Sequence, residues 1–256
     1  MADRIELVEQ DGGTVVLLDG RPQSHVDLDD PGRLVFDYVR RIGDVLDALA
    51  PDGVPLRVVH VGGAGLTLPR YLARTRPRSS QVVLEPDEEL TALVRAELPL
   101  PPRSGIKVRP VDGRSGLAAL PPGRADAVVV DAYDDGRVPR DLVTREAFAA
   151  LAAALAPHGV AVLNISDAAP FPLVRDVVAG LEEVLPVLAV CSEPATAKGR
   201  RAGNVLVLAT RSELPVAALR ARARGSATPY RVLDGGAVRD GFGGGTALDQ
   251  PSRGGG

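Results

Sequence analysis

The chain has 256 residues, of which 45% are apolar and 25% charged, with a net charge of −3; this balance excludes a disordered chain and argues against a strongly basic nucleic-acid-binding one. Its longest apolar runs, such as VLPVLAV at 184–190, fall far short of the roughly 20 residues that span a bilayer, so neither a membrane nor a nucleic acid is an expected partner. Cys191 is the one cysteine and Lys107 and Lys198 are the only lysines, which rules out an internal disulfide and makes the arginine clusters read as solvated surface.

The N-terminal MADRIELVEQ carries charge from its third residue and has no apolar core of the kind a secretory signal needs, so a cytoplasmic location is expected. Residues 4–28 alternate strand-like runs with turns: IELVE, Asp11-Gly12-Gly13, TVVLLDG, RPQSHVDL. The Asp-Gly-Gly turn tolerates positive φ and predicts a small N-terminal β-hairpin appendage over 1–30. Asp30-Pro31 predicts the start of a helix with Asp30 as N-cap. Leu34, Val35, Tyr38, Val39, Ile42, Leu46 and Leu49 follow at helical spacing, up to Pro51-Asp52-Gly53.

The stretch from Leu56 to Glu85, LRVVHVGGAGLTLPRYLARTRPRSSQVVLE, runs strand, glycine turn, helix, strand and ends in a carboxylate. A helix at 87–97, a strand VRPV at 108–111, a buried strand ADAVVVDAY at 125–133, a helix at 147–159 closed by Gly159 and a strand VAVLNI at 160–165 continue the alternation. A helix near 171–184 then leads to VLAVCSE and NVLVLAT, read as an antiparallel pair at the sheet edge. The pattern predicts an α/β fold with a doubly wound, mostly parallel Rossmann-like sheet, occupying 31–224. Residues 225–256 read as a Gly-rich irregular tail, with QPSRGGG at 250–256 expected to be disordered.

Four features carry chemistry. Gly62 and Gly63 in HVGGAG let a backbone approach a ligand, and Glu85 stands about 20 residues on, where a carboxylate accepts from ribose hydroxyls. The turn lacks the third-glycine spacing of the dinucleotide fingerprint, which disfavours NAD. Asp112-Gly113 follows a strand, suited to the amino group and ring nitrogen of an adenine. Asp131, with Asp134 and Asp135 behind it, ends the strand DAVVVD. Ligands of open α/β sheets bind outside the carboxyl ends of the strands, so all four are expected to face one crevice. Each has a plainer reading beside it: a packing turn, a generic Asp-Gly turn, a strand-end carboxylate capping a loop. His25, His60 and His158 are too scattered for a metal site, and no metal is expected.

The order HVGGAG, VVLEPD, VDGRSGL, VVVDAYDD resembles the class I S-adenosylmethionine-dependent transferase fold, and more narrowly the spermidine synthases and spermidine synthase-like proteins. The resemblance covers roughly residues 14–210, including LLDGRPQSHVDLDDP. It implies a transferase moving an aminopropyl group from decarboxylated S-adenosylmethionine to a small-molecule amine, and a homodimer. Gly62 and Gly63 would line the nucleoside sulfonium, Glu85 the ribose, Asp112 and Gly113 the adenine, and Gln23 would reach the cofactor from the hairpin. Asp131 and Asp134 stand where the family has its Asp-x-x-Asp pair, the first of which acts on the attacking amine.

Two departures leave alternatives open. Gly65 stands where the family has the aspartate that holds the donor's ammonium, and DLDDPGRLVFDY replaces a Tyr-x-Glu set lining the amine channel. A methyltransferase using ordinary S-adenosylmethionine, or a non-catalytic nucleoside-binding homologue, therefore stands beside the aminopropyl reading.

Overall fold

The computed structural model describes residues 4–250, so all but the first residue of the 250–256 segment lies outside the described residues. The chain resolves into two compact units, Met1–Gly113 and Arg114–Gly256. The fold is α/β: an eight-stranded, mostly parallel Rossmann-like sheet with helices, and a separate three-stranded antiparallel sheet at the N-terminus.

In the first unit β1 (Ile5–Gln10), β2 (Gly13–Leu18) and β3 (Arg21–Val26) form the small sheet in that order. The sequence predicted a hairpin; a third strand joins it because Asp19-Gly20 makes a second tight turn like that of Asp11-Gly12. All four residues have positive φ, from 50° to 71°, as a two-residue turn of the primed type requires. Ile5, Val16 and Val26 of this sheet pack with Leu66, Val83, Leu90, Val94 and Leu98 in one apolar cluster.

Helix α1 spans Asp37–Ala48 and does not begin at Asp30. Asp27 explains the delay. Its Oδ1 accepts from the N–H groups of Asp29 (3.0 Å) and Asp30 (2.9 Å), and its Oδ2 from Arg33 Nε (2.7 Å). Those bonds, the Asp30 amide first, hold its carboxyl below the usual range. Asp30 itself caps a local turn through Gly32 N at 3.1 Å, so its side chain is spent before the helix begins. At the other end the buried Arg76 guanidinium donates at 2.8–3.0 Å to the carbonyl of Asp47, one of the acceptors the helix terminus leaves open, and to those of Ala50, Pro51 and Val54 in the loop that follows.

Strands β4 (Arg57–Val61), β5 (Ser80–Leu84) and β6 (Ile106–Arg109) pair in parallel, linked by α2 (Thr67–Thr75) and α3 (Glu88–Glu97). A short helix α4 (Gly113–Ala118) follows β6.

In the second unit β7 (Ala125–Val130) pairs in parallel with β8 (Leu155–Asp167). Helix α5 runs Arg145–Ala154, capped by the Thr144 hydroxyl at Ala147 N (3.3 Å), and stops five residues before the predicted Gly159. Pro157 drives the preceding residue out of helical geometry, and Leu155 already pairs with Ala125. Gly159 serves a close approach instead of a helix end: a Cβ there would stand 2.6 Å from the Ala125 carbonyl oxygen.

After α6 (Pro172–Glu182), β9 (Val187–Ser192), the short α7 (Pro194–Ala197) and β10 (Gly203–Thr210), the chain adds α8 (Val216–Gly225), β11 (Arg231–Asp234) and α9 (Gly236–Phe242). The antiparallel pair β9–β10 forms as read, but β10 lies between β8 and β9, and β11 covers the far side of β9. Residues 231–242, which read as irregular, thus supply the sheet's edge strand and a helix after it. Among the described residues no helix is long and apolar enough to cross a membrane.

His60 sits in β4, wholly enclosed, its Nε2 3.0 Å from Gln81 Oε1, while Gln81 Nε2 donates to the Pro69 carbonyl. Burial pushes its pKa down to about 4. The unfolded imidazole takes a proton near pH 6.5 and the folded one only near 4, so stability present above pH 6.5 is lost progressively down to pH 4. The loss is on the order of 3 kcal/mol. Urea unfolding at pH 7 and pH 4.5 should show this fall, and His60→Gln should flatten it.

Candidate functional site

The glycine turn between β4 and α2 is held in a conformation that L-residues resist. Gly62 (φ 94°), Ala64 (φ 38°) and Leu66 (φ 61°) all have positive φ. For Ala64 and Leu66 this costs about 1–2 kcal/mol each, and such conformations persist only where the surroundings over-determine them. Five hydrogen bonds do so here. Glu85 Oε2 accepts from Gly63 N at 2.8 Å and Ala64 N at 3.4 Å; Leu66 N donates to the Gly63 carbonyl at 2.8 Å; Gly65 N donates to Ser24 Oγ at 3.0 Å; and Arg70 Nε donates to the Gly65 carbonyl at 3.2 Å.

Glu85 thus joins the ends of β4 and β5. Its second oxygen, Oε1, accepts from Asp87 N at 3.0 Å, and Asp87 in turn caps α3 at Leu90 N (2.9 Å). A Cβ on Gly63 would stand 3.0 Å from Val83 and 3.2 Å from the Glu85 Cβ, which is why glycine belongs there. A carboxylate has about four lone-pair sites, so Glu85 keeps acceptor capacity beyond these three amides. Gly62, Gly63 and Glu85 are therefore brought together.

The other predicted residues of this unit stand differently. Gln23 is half-buried on β3, its amide donating to the Arg21 carbonyl at 3.4 Å, and it is the adjacent Ser24 that binds the glycine turn. Asp112 is exposed immediately before α4, and the half-buried Gly113 is that helix's first residue.

Gly65 is crowded. A Cβ there would lie 2.8 Å from both Ser24 Cβ and Val26 Cγ2 and 3.1 Å from Val16 Cγ2. That corner is filled from the small sheet. Arg70, which the sequence reading did not single out, closes the same corner: it is buried, bonds Gly65, Pro99 (3.0 Å) and Leu98 carbonyls, and burial lowers its pKa to about 10.

In the second unit Asp131 follows the end of β7. Asn164 Nδ2, from the middle of β8, donates to its Oδ1 at 2.9 Å. Burial of the carboxyl raises its pKa to about 6, against the opposing pull of Asn164. Tyr133, two residues on, donates to the Asn164 carbonyl at 3.0 Å, and its own pKa is raised, first by burial and then by the Asp131 charge. Asp134 is exposed and opens a tight turn, exchanging both backbone bonds with Arg137 (2.8 and 3.0 Å) around Asp135 and Gly136 at positive φ. Asn164, fully buried, was missed by the sequence reading; an amide inside the apolar run VAVLNI was the available signal. Among the described residues no group of three or more His, Cys, Asp or Glu is placed to hold a metal.

The crowding at Gly65 has a measurable consequence. Gly65→Asp should destabilise the protein by about 2 kcal/mol or more through overpacking, read as a lowered melting temperature. Trimming Val26 to Ala in the same chain should recover part of the loss.

No protein-family model matches the chain. It is 29% identical over 143 residues to a polyamine aminopropyltransferase of Chromobacterium violaceum, an alignment covering 56% of this chain and 53% of that protein. The chain thus matches about half the length of that curated relative. A crystal structure of a probable spermidine synthase from Corynebacterium glutamicum superposes with a TM-score of 0.91 at 29% identity, covering 98% of this chain and 94% of the other. Human methyltransferase-like protein 13, solved in complex with SAH, shares the fold at a TM-score of 0.57 and 23% identity over 70% of this chain and 83% of its own. The chain is spermidine synthase-like, built on the methyltransferase fold.

Proposed function

We propose that the chain is a transferase that moves an aminopropyl group from a decarboxylated S-adenosylmethionine-type donor to a small amine. The observation that carries this reading is Asp131: a carboxylate at a strand end, its pKa raised to about 6 by burial, with the neutral amide of Asn164 donating to it. The likeness over nearly the whole chain to a probable spermidine synthase supports it. Sulfonium nucleosides suit the first unit's donor set, because Gly62, Gly63 and Glu85 form a turn that brings backbone and a carboxylate with spare lone pairs together.

In this reaction the amine's lone pair attacks the carbon bound to the sulfonium. The new C–N bond forms as the C–S bond breaks, sulfur keeps the bonding pair as a neutral thioether, and nitrogen becomes an ammonium that later gives its proton to solvent. Positive charge therefore moves from sulfur to nitrogen. A fixed carboxylate beside the nitrogen stabilises it there, and orients the lone pair. At a pKa of about 6 Asp131 is still a weak base against an amine near 10.4, so electrostatics and positioning outweigh proton abstraction. Glu85 would hold the ribose, Asp112 and Gly113 the adenine, Gln23 would approach the donor from the small sheet, and Asp134 would meet the acceptor.

Gly65 keeps a second reading in view. Without a carboxylate at that corner, the carboxylate of ordinary S-adenosylmethionine meets no like charge, as a methyltransferase would need. Calorimetry with both donors separates the two: the aminopropyl reading expects the decarboxylated form to bind at least as tightly. A tenfold preference for the ordinary form, about 1.4 kcal/mol, would overturn it, and binding of neither at millimolar concentration would leave a non-catalytic homologue.

Asp131→Asn is expected to lower turnover by about a hundredfold or more with donor affinity unchanged. Because the ionised form is the active one, the parent's kcat/KM should fall as pH drops through about 6. Equal turnover for variant and parent removes Asp131 from the mechanism.

A further inference from the structure

We propose that Asn164 and Asn204 are positioning residues for Asp131, a two-amide relay that fixes which carboxylate oxygen faces the amine without neutralising its charge. This rests on the proposed role of Asp131.

The geometry lies wholly within the second unit. Asn164 stands in the middle of β8 with no exposed surface, between Leu163 and Ile165. Asn204, near the start of β10, pairs across with Ser166, so the two asparagines are diagonal neighbours on adjacent strands. Asn204 Nδ2 donates to Asn164 Oδ1 at 3.1 Å, and Asn164 Nδ2 donates to Asp131 Oδ1 at 2.9 Å. Tyr133 closes the arrangement: its hydroxyl donates to the Asn164 backbone carbonyl at 3.0 Å and is also hydrogen-bonded to the Asn204 side chain.

This arrangement dictates the orientation of the Asn164 amide. Its oxygen is claimed by an N–H donor, so its nitrogen must face the carboxylate; a flipped amide would set oxygen against the carboxylate oxygen at one end and N–H against N–H at the other. A polar group with no access to water costs roughly 1–3 kcal/mol unless it is bonded, so an amide in the buried run Val160–Ile165, whose other residues are all apolar, is worth its place only when it is hydrogen-bonded. The donor's neutrality matters as much as its direction. An arginine or lysine would hold the carboxylate equally well but would cancel the charge that a developing ammonium needs. An amide bonds Oδ1 and leaves the full negative charge, with Oδ2 unengaged among the described residues, for the substrate. The groups that bear on Asp131 in this unit are Asn164 from β8 and Tyr133 on its own loop, and neither is charged at neutral pH.

The test uses the full-length protein and two readouts. In Asn164→Ala and Asn204→Ala, kcat at saturating donor should fall about tenfold to a hundredfold, with the donor KM unchanged and the Asn204 effect the smaller. The acid limb of kcat/KM should move to higher pH in Asn164→Ala, because the bond that favours the ionised carboxylate is gone; Asn164→Gln, which keeps a donor, should restore part of it. Carbon-13 NMR of the labelled Asp131 carboxyl reads the same shift without turnover: a midpoint near 6 in the parent, higher in both Ala variants. An unmoved midpoint overturns the relay even if the enzyme is active. A moved midpoint in a protein that transfers nothing keeps the relay and sinks the reaction. If Asn164→Ala does not fold, Asn204→Ser carries the test.

Discussion

One hydrogen-bonded carboxylate holds the first unit in its working shape. Glu85, at the end of β5, reaches back to the amides of Gly63 and Ala64 after β4, and forward to the amide of Asp87 before α3. Without it the left-handed Ala64 and Leu66 would relax toward commoner geometry, and the turn would lose the form in which a ligand's atoms can approach its backbone. The proposed ribose partner and the fastener of the turn are thus the same side chain. That double use is possible because a carboxylate accepts more bonds than three amides supply.

The small sheet does more than decorate the N-terminus. Its Val16 and Val26 belong to the same apolar cluster as Leu66 and Val83, and its Ser24 bonds the Gly65 amide. It thereby fills the corner where the resemblance to spermidine synthases would put an anionic anchor. The departure at Gly65 is a packing arrangement involving three strand residues and a buried arginine, so a single substitution does not reverse it. On the proposed reading, donor selection in this chain depends on something other than that anchor.

Much of this was legible in the sequence. The strand, glycine turn, helix and strand of 56–85, the Asp11-Gly12 turn, and the strand leading to Asp131 follow from local patterns with short-range causes: positive-φ tolerance, continuous valines, helical spacing. What escaped depends on partners distant in sequence. Asp30 is the exception, because its rival is local: Asp27 claims the Asp29 and Asp30 amides and the Arg33 guanidinium and holds residues 27–33 in a turn. The helix at 147 was read too long because the pairing of Leu155 with Ala125 is a tertiary contact. Residues 231–234 carry too short a pattern to announce a strand, and form one because β9 offers an edge. Asn164 and Asn204, 40 residues apart in the chain, become a pair only through the register of β8 with β10.

The most direct measurement compares 5′-methylthioadenosine with its analogue lacking both ribose hydroxyls, by equilibrium binding to the parent and to Glu85→Gln. The parent should prefer the hydroxylated compound by about tenfold or more, as for a charge-assisted bond of about 1.5–3 kcal/mol, and the preference should collapse in the variant. Equal affinity of the parent for the two compounds would contradict a nucleoside held at Glu85.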